Sequence, residues 1–275
     1  MRVVRGALAN LRRSPSHAAE LVSQLVLGEH ARVLAEREGW LHVAGEDGYP
    51  GWVDELSLNS PDGSRGSPPG RALVWTRRAG TLREQRDPAS EPLCDLVLGA
   101  RLGAGPAGSA VLPGGGRGWA EDGWMDLDEL ERRFPRAPEA VVRTALGLRG
   151  VPYLWGGTTS KAFDCSGFVQ RVYALHGIRL PRDAYQQAEI GEVIDAGPAG
   201  HGLGAAHLVF FAERGSRVSH VGLALGQAGR FVHSSTAQAG VAVDSLDPAD
   251  RLYAPRLAAR LSGCRRVLPE AAPPA

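Results

Sequence analysis

Cys165 lies in the run Phe163-Asp164-Cys165-Ser166-Gly167-Phe168-Val169. Past it, Phe168, Val169, Val172, Tyr173 and Leu175 recur with a helical period, Asp164 is a strong N-cap, and Gly177 is a natural stop. The spacing predicts a helix from Cys165 to about His176. A thiol in that first turn meets unpaired N–H groups and the positive end of the helix dipole, which favour the thiolate near neutral pH. That is the recipe for a nucleophilic cysteine. The competing reading is a buried core cysteine, a frequent fate of free thiols. Polar neighbours on both sides and the glycines upstream favour the nucleophile.

A thiolate needs a base to form it and an acid to protonate the leaving amine, and histidine does both near pH 7. Of eight histidines, His17, His30 and His42 fall in the first β-rich stretch, His176 ends the Cys165 helix, and His201 lies in a glycine-rich loop. His207, His220 and His233 remain. His220 opens an apolar strand and His233 ends the next one, so a hairpin would bring the two side by side at one sheet end. A cysteine on a helix facing such a pair gives nucleophile, base and orienter. The plain alternative is two half-buried strand histidines. A zinc site is the weaker chemical reading, since the chain has no Cys-x-x-Cys and no His-x-x-x-His; no metal and no cofactor are expected.

The chain has 275 residues, enough for two or three domains, with 43% hydrophobic residues and a net charge of +1. Of 31 basic residues only Lys161 is lysine, and they are spread along the chain without a basic stripe or interleaved aromatics, so nucleic acid is not expected as a partner. Cys94, Cys165 and Cys264 are an odd set without paired spacing, which argues against a disulfide framework. No segment reads as a signal peptide, and no apolar run approaches the roughly 18 residues a membrane helix needs. The expectation is a cytoplasmic monomer without membrane contact, or a secreted or periplasmic one if a leader has been removed.

The first 130 residues contain a repeat. Asn10-Leu11-Arg12 returns as Thr81-Leu82-Arg83, Leu25-Val26-Leu27-Gly28 as Leu96-Val97-Leu98-Gly99, Ala31-Arg32-Val33 as Ala100-Arg101-Leu102, and Gly51-Trp52-Val53 as Gly123-Trp124-Met125. Four matches in one order at an offset of about 70 residues mark two copies of one module. Each copy alternates short apolar runs with turn residues, the pattern of a small β-barrel. The expected domains are a first barrel over 1–60, a Pro/Gly/Ser linker over 61–70 and a looser second barrel over 71–130. A helix-then-sheet α+β domain would follow over 131–265, then a disordered tail over 266–275. The spacing predicts a short connecting helix over 126–134 and, in that third domain, helices over 138–148 and 182–190. Strands are predicted over 208–212, 218–225, 230–234 and 241–243.

The runs Tyr153-Leu154-Trp155-Gly156-Gly157, Phe163-Asp164-Cys165-Ser166-Gly167-Phe168-Val169, Leu180-Pro181-Arg182, Leu208-Val209-Phe210-Phe211, His220-Val221-Gly222 and Val232-His233-Ser234 together resemble the NlpC-type cell-wall cysteine peptidases. The front half resembles paired bacterial SH3-like domains. Its first copy, with Glu20-Leu21-Val22-Ser23-Gln24 and Asp47-Gly48-Tyr49, is similar to the front domain of the γ-D-glutamyl-L-diamino acid endopeptidases, or dipeptidyl-peptidases VI. The resemblance implies two all-β SH3-like barrels followed by a papain-like α+β catalytic domain. Cys165 would attack the γ-D-glutamyl carbonyl, His220 would exchange the proton and His233 would orient it. Backbone N–H groups at the helix start, helped by Tyr153, would hold the oxyanion. Asp164 would meet the free amine of the substrate's L-Ala, while Trp155, Ser166, Arg182 and Asp183 would line the rest. Glu20 and Tyr49 would close the cleft. The implied partners are peptidoglycan-derived peptides, and the implied product is L-Ala-γ-D-Glu. An amidase or acyltransferase on the same scaffold, or a non-catalytic wall-binding protein, are the rival readings. One departure stands out: where the family has Gly-Asp before the Leu-Val-Phe-Phe strand, this chain has Ala206-His207, with His207 expected in an exposed loop.

Overall fold

The repeat of the first half is carried down to the hydrogen-bond register. The computed structural model describes residues 1–59, 71–227 and 229–268. Strands Leu8–Arg12 and Leu21–Val26 pair antiparallel with Leu11 opposite Ser23, and a bulge then shifts Arg12 onto Leu21. Strands Ala79–Arg83 and Pro92–Val97 do the same, with Leu82 opposite Cys94 and a bulge that shifts Arg83 onto Pro92. At each bulge the arginine crosses its loop to a backbone carbonyl: Arg12 Nη1 donates to Ala19 O and Arg83 Nη1 to Ser90 O, both at 2.7 Å. A bulge bends its strand and raises the local twist, so the same bulge at the same place curls both modules alike.

In the first module six strands run in the order Arg2–Val3, His30–Arg37, Trp40–Ala44, Pro50–Asp54, Leu8–Arg12, Leu21–Val26. They close over Leu11, Leu25, Leu41, Val43 and Val53. The second module has a five-stranded sheet centred on Arg101–Ala104, with the Ala79–Arg83 hairpin beside it, around Trp75, Leu82, Leu96, Ala100 and Leu102. Leu27, at the end of the first module's hairpin, belongs to this second core. The joint is tight. Arg101 N donates to Leu27 O at 2.8 Å, and Arg101 Nη1 reaches Glu46 at 2.8 Å.

The chain divides into two units: Met1–Arg132 with Trp155–Lys161, and Arg133–Leu154 with Ala162–Ala275. The excursion Trp155–Lys161 is the surprise, because its sequence places it inside the third domain. Thr158 is buried and donates from Oγ1 to Gln24 O at 2.9 Å, while its N–H donates to Gln24 Oε1 at 3.2 Å. Ser160 Oγ accepts from Leu98 N at 3.0 Å and donates to Arg78 O, and Lys161 Nζ meets Asp95 at 2.8 Å. The excursion is therefore hydrogen-bonded to both modules.

The second unit is built on helices α1 (Pro138–Leu146) and α2 (Cys165–Leu175), with a shorter α3 (Ala184–Gln187). Its sheet comprises β1 (Glu192–Ile194), β2 (Ala205–Phe211), β3 (His220–Leu225), β4 (Arg230–Ser235), β5 (Gly240–Ser245) and β6 (Leu261–Arg266). The order is β1-β6-β2-β3-β4-β5, and every pairing given is antiparallel. Phe168, Val169, Val172 and Tyr173 on α2 are fully buried, as are Val209, Phe211 and Phe231 on the sheet. Removing each large apolar side chain of this kind from water stabilises the fold by about 1.5–3 kcal/mol. Strands β1 and β6 are absent from the sequence reading. Their short, charged runs Glu-Val-Ile and Leu-Ser-Gly-Cys-Arg-Arg lack the apolar alternation that marks a strand. Strand β6 also carries the ordered chain past the expected tail boundary, ending at Arg266 with Leu268 buried. The rest of that tail, 269–275, and the linker 61–70 lie outside the described residues.

The joint between the modules yields a test. Gly28 and Gly39 share φ +81°, but a Cβ on Gly28 would sit 1.6 Å from Arg101 O, while one on Gly39 meets nothing within 4 Å. Gly39→Ala is expected to cost about 1 kcal/mol for the left-handed backbone alone. Gly28→Ala should cost at least about 2 kcal/mol more, because backbone must shift. Urea melts of the two variants measure the difference.

Candidate active site

Helix α2 begins as the sequence dictates. Asp164 is its N-cap, with Oδ1 accepting from Gly167 N at 2.7 Å, and Gly177 takes φ +68° just past the end. Asp164 does more than cap. Arg182 forks onto it, Nη1 to Oδ1 at 3.1 Å and Nη2 to Oδ2 at 2.5 Å, and Nη1 also reaches Ser166 Oγ at 2.9 Å. Arg182 is only 2% exposed, so this is a buried, bidentate ion pair one residue before the cysteine. Arg182, expected to line the cleft, holds its guanidinium on Asp164 and Ser166. Asp183 instead caps α3 in a reciprocal box with Gln186.

Cys165 is buried, and its thiol is pushed up to about 12, first by burial and then by the Asp164 carboxylate. The expected lowering at the helix start is therefore reversed in the substrate-free chain. A helix dipole contributes about 0.3–1 kcal/mol, under one pKa unit, whereas full burial can shift a group by up to about 3–5 units. Backbone N–H bonds from Val221 and Ser166 oppose the rise without overcoming it. Tyr153 is likewise held up at about 12, chiefly by burial and then by the neighbouring Cys165 and Asp164, so its hydroxyl keeps its proton and can donate it in a hydrogen bond.

The histidines meet as the hairpin argument requires. Strands β3 and β4 pair with Leu223 opposite Val232. Continuing that register by one sets His233 across from Gly222, on the face shared by His220. His220 Nε2 lies 2.7 Å from His233 Nδ1. The glycine is needed there, because a Cβ at 222 would press on Phe231 at 2.7 Å and approach His233 Cβ at 3.4 Å. Val221, the residue after His220, supplies the backbone N–H that faces the Cys165 sulfur, which puts His220 beside Cys165. Burial, then the neighbouring His233 and Arg260, hold His220 down at about 3, so it rests neutral and able to take a proton.

Two residues that the sequence reading missed complete this chain of contacts. Asp244 on β5 accepts from His233 Nε2 at 3.1 Å, and Gln238 Nε2 donates to the other Asp244 oxygen at 2.9 Å. An aspartate inside an apolar strand, which strands ordinarily disfavour, was the available signal. Among the described residues no group of three or more His, Cys, Asp or Glu is arranged to hold a metal ion.

The structure thus gathers Tyr153, Asp164, Cys165, Ser166, Arg182, His220 and His233 in one unit. Glu20 and Trp155 meet in the other, where Trp155 Nε1 donates to Glu20 Oε1 at 2.8 Å. Hydrogen bonds from Arg13 and Trp155 hold the Glu20 carboxyl below its usual value. Tyr49 packs half-buried against the core of the first module. His207 is a correction: it belongs to β2, at a bulge, with Nδ1 accepting from Gly204 N at 3.0 Å. Ala206 takes the left-handed φ of +61° there, at the position where the resembling family has glycine.

Residues 150–257 match the NlpC/P60 family, and residues 11–58 match the bacterial dipeptidyl-peptidase Sh3 domain. The chain carries an NlpC/P60 domain, that of a cysteine peptidase family, behind an SH3-like front. Similar proteins match over nearly the whole chain. The chain is 28% identical to a γ-D-glutamyl-L-lysine dipeptidyl-peptidase of Bacillus cereus over 92% of its own length and 77% of the relative's. It is 29% identical to dipeptidyl-peptidase 6 of Lysinibacillus sphaericus over 94% and 97%. Its fold matches the crystal structure of an NlpC/P60 family protein from Bacillus cereus with a TM-score of 0.80 at 22% identity, covering 98% of this chain and 99% of that one. No helix among the described residues is long and apolar enough to cross a membrane.

Two outcomes follow from these charges. Arg182→Met leaves the Asp164 carboxylate buried without its cation and should cost about 3–5 kcal/mol, read as a fall in the urea midpoint. The second concerns pH. An unfolded histidine titrates near 6.5, while folded His220 is held at about 3 and His176 is also pushed down by burial. Between those values the unfolded chain binds more protons, so the stability these groups contribute is full above about pH 6.5 and is lost as pH falls. His220→Gln should therefore flatten the decline in urea stability between pH 7.5 and 5.5 by about 1 kcal/mol; an unchanged slope would contradict a neutral resting His220.

Proposed function

We propose that this chain is a cysteine endopeptidase that hydrolyses the bond between γ-D-glutamate and the diamino acid of peptidoglycan stem peptides. It would act on peptides with a free N-terminal L-Ala and release L-Ala-γ-D-Glu during recycling of wall fragments. The observation that carries the reading is the Cys165 thiol at a helix start with the His220–His233 pair beside it, in a chain similar to dipeptidyl-peptidases over nearly its whole length.

The chemistry follows from the resting charges. The thiol and the imidazole are both neutral, so the proton moves from Cys165 to His220 as sulfur closes on the γ-carbonyl carbon, not beforehand. The oxyanion formed is held by backbone N–H groups at the start of α2 and by the Tyr153 hydroxyl. His220 then gives its proton to the diamino acid nitrogen as the C–N bond breaks, leaving a thioester on Cys165. Water attacks the thioester with His220 as base, which releases the dipeptide carboxylate and restores the thiol. Asp164 is the carboxylate proposed to face the substrate amine. Because Arg182 already binds both of its oxygens, it would present a fixed acceptor there instead of a free anion.

Incubating the protein with L-Ala-γ-D-Glu-L-Lys and its diaminopimelate counterpart, with mass spectrometry of the products, tests the reading. Cleavage to L-Ala-γ-D-Glu is expected. Cys165→Ala should abolish it, while Cys94→Ser and Cys264→Ser keep most of the activity, since Cys94 is a barrel residue and Cys264 lies in the sheet core. N-acetylation of the L-Ala should slow cleavage by about a hundredfold, roughly 2.7 kcal/mol in transition-state terms. Equal rates on acetylated and free peptides would exclude the requirement for a free N-terminus.

A further inference from the structure

We propose that Asp244 is a positioning residue that sets the tautomers of both histidines and so leaves Nδ1 of His220 bare to accept the Cys165 proton. The inference rests on the cysteine-peptidase reading above and deepens it. Strand register brings the parts together. His233 pairs with Ala242 and Phe231 with Asp244, so His233 and Asp244 are diagonal neighbours on one face of β4 and β5. His233 is fully buried and Asp244 nearly so.

The argument is a proton count. A carboxylate only accepts. Gln238 Nε2 donates to one Asp244 oxygen at 2.9 Å, and the other lies 3.1 Å from His233 Nε2, which must carry a hydrogen. In this proposal His233 is the neutral imidazole, so its Nδ1 is an acceptor. His220 Nε2, 2.7 Å away, must then carry the hydrogen of that contact. The remaining nitrogen, His220 Nδ1, has no proton and, among the described residues, no hydrogen-bond partner. When it takes the thiol proton, His220 becomes a cation whose Nε2–H points through His233 at the Asp244 charge. The direction of the whole relay is set by the one member that cannot donate.

Asp244→Asn reverses the relay at almost constant shape. Gln238 continues to donate to the oxygen of the new amide, which turns its NH2 toward His233 Nε2. His233 must then carry its proton on Nδ1, and His220 must carry its own on Nδ1, where the base is needed. The expected result is a kcat on L-Ala-γ-D-Glu-diamino acid tripeptide lowered by on the order of a hundredfold or more, with KM changed less than about threefold, since Asp244 makes no contact assigned to substrate. Adding Gln238→Glu to Asp244→Asn supplies an acceptor for the amide NH2. The oxygen turns back to His233, and kcat should recover at least about tenfold.

Nitrogen-15 NMR of histidine-labelled protein reads the same switch without turnover. In the unsubstituted protein the pyridine-type nitrogen of His220 should be Nδ1. It should move to Nε2 in Asp244→Asn and return in the double variant. A bare Nε2 on His220 in the unsubstituted protein overturns the proposal outright, whether or not any variant folds. So does an Asp244→Asn variant that keeps kcat within about threefold, or one whose loss the second substitution leaves unrepaired while the His220 nitrogens stay as they were. If the unsubstituted protein fails to cut the tripeptide, the substrate reading falls, and the nitrogen spectra still decide the role of Asp244.

Discussion

The site depends on one buried carboxylate. Asp164 caps the helix that starts at Cys165, holds Ser166, and takes both prongs of a guanidinium that has almost no access to water. Taking two charges out of water costs several kcal/mol per ion, and their attraction returns that only with very good geometry. The pair is thus a poor device for stability and a good one for position. A guanidinium is planar and always charged, so its fork fixes the carboxylate plane. The carboxylate in turn fixes the first turn of α2, and with it the direction of the Cys165 Cα–Cβ bond. Gln187, donating to Ser166 O at 3.1 Å and Pro181 O at 2.8 Å, ties the same turn to the segment that delivers Arg182.

That same carboxylate works against the thiolate. It adds a negative charge next to a sulfur that burial already keeps protonated. A preformed thiolate–imidazolium pair would need His220 to be charged, yet His233 and Arg260 both oppose a cation there. The Cys165–His220 centre is accordingly neutral, with the charges beside it on Asp164, the preceding residue, and on Arg182 paired with it.

Much of this was legible in the sequence, for reasons that differ by element. The repeat showed because the bulge and its arginine recur with the hairpin, so Leu11-Arg12 and Leu82-Arg83 are constrained by the same geometry. Helix α2 showed because cap, period and stop all lie within one short run. The histidine pair showed because hairpin ends are neighbours whatever the loop between them. Asp244 did not show. It is one acidic residue in Gly-Val-Ala-Val-Asp-Ser, and only cross-strand register gives it a partner. The thiol's direction was misread because the helix-start rule counts N–H groups and the dipole, while burial, the larger effect, is a tertiary property with no local signature.

The excursion Trp155–Lys161 was hidden by a similar inversion. Gly-Gly-Thr-Thr-Ser-Lys has the composition of an exposed loop, yet Thr158 and Thr159 are 1% exposed. Buried polar groups must be hydrogen-bonded, and these residues are polar because their partners are: Gln24 on the first module, Leu98 N–H and Arg78 O on the second. Modules of about 60 residues bury too little surface to be more than marginal alone. Leu27 lends an apolar side chain from the first module to the core of the second, and Ser160 joins the second module by hydrogen bonds. The two barrels are thus stabilised as one body, and the segment that laces them leads through Ala162 and Phe163 into Asp164 and Cys165. Trp155–Lys161, which precede Cys165 in the sequence, are held by interactions that no apolar pattern announces.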